Sequence, residues 1–106
     1  MDKRSLIRLI MNCSDEFYMK PYWRMKKIEF KKSSYQQTAV NALCDFISDY
    51  PIADVISPFE AIQVINEFDN MLTEGAYRSK NKDTQIMFST GRKVVKDMVD
   101  VLMGML

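Results

Sequence analysis

Apolar residues return at intervals of three and four along nearly the whole chain, the pattern of helices that each bury one face. Leu6, Leu9, Ile10, Cys13 and Phe17 share one side of a first helix that Asp2 can cap. Pro21 predicts a boundary or kink just before it. From Tyr22 to Phe30 two patterns compete. Tyr22, Met25 and Ile28 have helical spacing, whereas Ile28 and Phe30 alternate with charge as in a short strand; helix is the preferred reading.

Further along, Ser34 with Gln37 forms a capping-box pattern, and Val40, Leu43, Ile47 and Tyr50 follow at helical spacing, so a helix is expected to start at Ser34 and end before Pro51. Residues 51–56 read as a connection. Ser57, Pro58 and Glu60 then mark a sharper start: a capping Ser, Pro at the first helical position and Glu at the third. Ala61, Ile62, Ile65, Phe68 and Leu72 form the inner face of this helix and leave Glu60, Gln63, Glu67, Asn70 and Glu74 outside, with Gly75 expected as its left-handed stop.

Residues 76–82 read as a polar basic loop, after which Asp83 or Thr84 caps a long last helix. Met87, Gly91, Val94, Met98, Val101 and Met105 lie on a heptad-like seam, and Val95, Val99, Leu102 and Leu106 widen it. Such a broad face predicts either a central helix or one that meets a partner. Gly91 costs about 1 kcal/mol in a helix relative to Ala. Close approach of a neighbouring backbone or a break between Ser89 and Arg92 would account for it.

These elements predict an all-α fold: a compact bundle of four or five helices with the long C-terminal helix at its centre. The chain has 106 residues, the size of one domain, and residues 1–106 read as a single helical domain. Apolar residues make up 47% and charged residues 27%, with three Gly and three Pro, so the chain is neither disordered nor of low complexity. Cys13 and Cys44 fall at or beside apolar helical positions and read as reduced thiols of the core. Arg8 interrupts the apolar run Leu6 to Met11, and Lys96, Asp97 and Asp100 interrupt the last one. Neither is a secretory signal or a span of roughly 20 apolar residues, so a cytoplasmic protein without membrane contact is expected.

Charge changes the picture more. The net charge of +1 conceals a basic segment, residues 1–34 at +5, an acidic one, residues 35–75 at −7, and a mildly basic one, residues 76–106 at +3. Residues 35–75 contain no Lys or Arg at all. Division of charge on this scale speaks of association rather than of fold.

Catalytic chemistry finds little support. There is no His, and the fragment from Ser89 to Lys93 lacks the upstream glycine and strand of a phosphate-binding loop. The carboxylate pairs Asp45 with Asp49 and Asp97 with Asp100 read as solvated helix faces rather than as metal or acid–base sites. No enzyme, cofactor, metal or small-molecule substrate is expected.

Three surfaces are candidates for binding. Lys20, Tyr22, Trp23, Arg24, Lys26, Lys27, Lys31 and Lys32 interleave cations with rings, the ingredients of a nucleic-acid surface, though the pI of about 7.7 lies well below that of a dedicated binder. The competing reading turns the rings inward and leaves the cations for an acidic surface, within this chain or on another. Asp45, Asp49, Glu60, Glu67 and Glu74 can dock on a basic partner. Met87, Gly91, Met98, Val99, Met103 and Met105 can support self-association, since methionine suits adaptable contacts. The preferred expectation is a non-enzymatic protein-interaction module, an accessory or inhibitor protein that binds a larger protein or forms a homodimer. The alternatives are a nucleic-acid-binding regulator acting through residues 18–32, and a phage or mobile-element inhibitor of a host defence nuclease acting through the acidic segment 35–75.

Overall fold

A computed structural model describes residues 1–18, 27–51 and 56–106, with the side chains of residues 27–33 outside the description. The described residues form four helices: α1, Lys3–Tyr18; α2, Lys27–Asp49; α3, Pro58–Arg78; and α4, Lys82–Met103. The all-α bundle is as the periodicity predicts, with four helices and no strand among the described residues. Residues 22–26 of the ambiguous stretch and residues 52–55 of the connection lie outside the description; Lys27–Phe30 belong to α2.

α4 packs along the length of α3 and against α2, while α1 docks chiefly on α2. One core joins the four: Leu6 and Ile10 from α1, Leu43 and Ile47 from α2, Ile65 and Phe68 from α3, Val94, Met98 and Leu102 from α4. Full burial of a Leu or Ile side chain is worth about 1.5–3 kcal/mol, so these faces supply the main drive for assembly. Ile56, from the connection before α3, is buried with them.

Two starts follow the capping rules. The Ser5 N–H donates to Asp2 Oδ1 at 2.6 Å, which orders the first turn of α1 and holds the Asp2 carboxyl below its ordinary range. At α3 the Glu60 N–H donates to Ser57 Oγ at 3.1 Å, Ser57 is extended, and Pro58 occupies the first turn.

Four local expectations are corrected. Ser34 does not start a helix: α2 begins at Lys27 and runs through it, with Thr38 Oγ1 donating to the Ser34 carbonyl. Nothing between Lys27 and Asp49 stops a helix, because no Gly or Pro interrupts it. Gly75 does not end α3. No glycine among the described residues has positive φ, and the helix continues to Arg78, with Ser79 donating its N–H to the Gly75 carbonyl. Gly75 instead admits the Phe88 ring of α4, whose Cζ would lie 2.8 Å from an added Cβ.

The loop expected over residues 76–82 shrinks to Ser79, Lys80 and Asn81. Asn81, not Asp83 or Thr84, caps α4, its side-chain oxygen accepting from the N–H groups of both Asp83 and Thr84. Asp83 then sits in the first turn, where its charge suits the helix dipole. Of the two alternatives at Gly91, the unbroken helix holds. An added Cβ there would meet Leu72 Cδ1 at 3.0 Å and Ala39 Cβ at 3.6 Å, so close approach of α2 and α3 accounts for the glycine.

Candidate protein-interaction surface

The outer side of α3 is built by one repeat. Glu60, Glu67 and Glu74 recur every seven residues, and Gln63 and Asn70 fall between them. Seven residues advance a helix by about 10.5 Å in almost two full turns, so the three carboxylates form a row along one side. All five side chains are exposed. The row exists because the opposite side of α3, with Ala61, Ile65 and Phe68, is consumed by the core.

α2 contributes an edge to this surface. The Phe46 ring packs on Phe68 of α3 at a centroid distance of 5.4 Å and on Tyr50 at 5.5 Å. That stack places the half-buried Tyr50 beside α3, where it lines a depression with Glu60, Gln63, Asn66, Glu67 and Asn70. A hydrogen bond to the Glu67 carboxylate pushes the Tyr50 phenol above its ordinary value, with burial adding to the effect. Asp49 precedes Tyr50 at the end of α2, and Asp45 lies one turn earlier; both are exposed.

The partners of these carboxylates separate them into two kinds. Glu74 pairs with Arg78 at 2.6 Å, and Asp69 with Arg92 at 3.4 Å, so their charges are offset within the chain. Glu60 and Glu67 are held by neutral groups, the Ser57 hydroxyl at 3.3 Å and the Tyr50 phenol. Their side chains are oriented, and among the described residues no cation pairs with them. Among the described residues the carboxylates without an ion pair therefore lie toward the α2–α3 end of the row, where the Lys3 ammonium is bound by the Ser48 and Tyr50 carbonyls.

Of the predicted acidic site residues, Asp49, Glu60 and Glu67 gather around Tyr50 at this end, Asp45 extends the set along α2, and Glu74 stands apart. Tyr50, Gln63 and Asn70 complete the surface although they were not among the predicted site residues; the seven-residue interleaving of carboxylates and carboxamides was the available signal. The remaining predictions fare differently. Lys20, Tyr22, Trp23, Arg24 and Lys26 lie outside the described residues, as do the side chains of Lys27, Lys31 and Lys32. Gly91 and Met98 are buried in this chain's own core, Met87 and Val99 are half-buried, and Met103 and Met105 are exposed.

Asp97 and Asp100 do not act as a pair. The Tyr18 O–H donates to Asp97 Oδ2 at 2.6 Å, linking α1 to α4; burial, then this bond, pushes the Tyr18 phenol well above its ordinary value. Burial likewise raises both thiols: Cys13, with the Glu16 charge adding to it, and the half-buried Cys44, with Asp45 adding to it. Both cysteines are free. Among the described residues no group of three or more Cys, Asp or Glu is placed to hold a metal ion, and no helix is long and apolar enough to cross a membrane. Comparison with protein-family models, with curated proteins and with solved structures finds no match.

Proposed function

We propose that this chain is a non-enzymatic helical interaction module that docks a larger protein through the acidic end of α3. What supports the reading most is the treatment of Glu60 and Glu67. Both are exposed, oriented by hydroxyl groups and without an ion pair among the described residues, on a segment from which Lys and Arg are absent. A surface of one sign attracts an opposite one over several ångströms and fixes its register on contact, with effects that weaken as salt rises. A basic protein surface, such as a helix that presents Lys or Arg at the same seven-residue interval, matches the row.

Zero-length carboxyl-to-amine cross-linking in lysate of the native host tests this. A specific partner joined through Glu60 or Glu67 is expected, and its yield should fall as salt is raised. Exposed ion pairs contribute about 0.2–1 kcal/mol each, so Glu60→Gln with Glu67→Gln should weaken the partner's binding about fivefold. Glu74→Gln, whose charge Arg78 already offsets, should leave affinity within about twofold. A partner that binds the double variant as well as the parent would overturn the proposal.

A further inference from the structure

α1 is held differently from the other three helices. α2, α3 and α4 pack on one another, whereas α1 docks chiefly on α2 and is fastened at its two ends by polar bonds. At one end Lys3 Nζ donates to the backbone carbonyls of Ser48, at 3.2 Å, and Tyr50, and the Ile56 N–H donates to the Met1 carbonyl at 2.6 Å. At the other end the Tyr18–Asp97 hydrogen bond of 2.6 Å ties it to α4.

Between these fastenings the buried side of α1 is apolar except at one atom. Leu6, Ile10 and Cys13 are buried, and so is Ser14, 1% exposed, whose hydroxyl has no hydrogen-bond partner among the described residues. Burying a hydroxyl without a partner opposes docking, because water satisfies it once the helix is free. α1 therefore carries a built-in bias toward release, countered by its apolar residues and by its ends.

We propose that α1 is a releasable strap, which opens as a unit with Tyr18–Asp97 as its latch and uncovers the apolar face of α2 while α2, α3 and α4 stay assembled. Opening of this kind is sub-global unfolding of the least-connected element. It needs no change within α3 or α4, since release separates α1 from α2, undoes its end fastenings and breaks the bond to Asp97.

Amide hydrogen exchange on the full chain, resolved to individual helices by mass spectrometry, reads this out. In the parent, the buried stretch of α1 from Leu6 to Cys13 should exchange at least tenfold faster than Val64 to Phe68 of α3 and Val94 to Met98 of α4. Tyr18→Phe should speed α1 at least fivefold and leave α3 and α4 unchanged, because a hydrogen bond to a charged acceptor is removed only from the closed state. Ser14→Ala should move α1 the opposite way, to slower exchange. Exchange of α1 in step with α3 and α4, or acceleration of all four helices together by Tyr18→Phe, would show one cooperative unit and remove the strap.

Discussion

Gly75 and Gly91 let neighbouring helices come close at α4, where added methyl groups would meet Phe88 and Leu72. At Gly91 an added methyl group presses on Leu72 Cδ1, a terminal methyl able to turn aside. The helix gains about 1 kcal/mol when Gly becomes Ala, which offsets the crowding. Gly91→Ala should therefore unfold in denaturant within about 1 kcal/mol of the parent, whereas Gly91→Val overfills the same space and should lose about 1–3 kcal/mol. Tyr18 gives a residue-scale pH dependence. Its folded value lies above its ordinary one, so the fold favours the neutral phenol. Stability from this group is full below the unfolded value of about 10 and declines as pH rises through the folded one. Denaturation between pH 8 and pH 11 should show a shallower alkaline decline for Tyr18→Phe than for the parent. At this scale the sequence was legible only in part. A glycine three-quarters along the chain fits equally a left-handed stop and a close approach; Phe88, which decides it at Gly75, lies thirteen residues away.

Helix starts were legible where several signals coincide and misleading where one stood alone. Ser57 has Pro58 behind it and Glu60 at the third position, and the structure caps α3 there. Ser34 has only Gln37, and α2 passes through it. The two serines should therefore respond differently to alanine. Ser57→Ala removes an acceptor for the Glu60 N–H and should cost about 1 kcal/mol. Ser34→Ala sits inside a helix at an exposed position and should change stability by no more than about 0.5 kcal/mol, toward stabilisation, since Ala is the better helix former. Thermal melting of the two variants separates these outcomes. Inner faces were the most legible feature of each element: Leu43 and Ile47, Ile65 and Phe68, Val94 and Met98 all turn inward as their spacing predicts.

Across the whole molecule, the division of charge and the all-α fold were readable, and the placement of the helices was not. Seven carboxylates and no Lys or Arg over residues 35–75 mark that segment as acidic whatever the fold. Which of them keep their charge unmatched depends on Arg78 and Arg92, and so on the pairing of α3 with its own last turn and with α4. The bond between Tyr18 and Asp97 left no trace in the sequence, since no periodic signal connects residues so far apart. That bond has a consequence for how the protein is made. α3 and α4 are joined by three residues and can pair as soon as both exist, because closing so short a loop loses little entropy. Asp97, in contrast, is synthesised 79 residues after Tyr18, which at about 5–20 residues per second is a wait of about 4–16 s on the ribosome. For about 2–7 s of that interval, between the end of α2 at Asp49 and the start of α4 at Lys82, α1 and α2 exist without α4, and the apolar faces they would turn to it are open to chaperones or to other nascent chains.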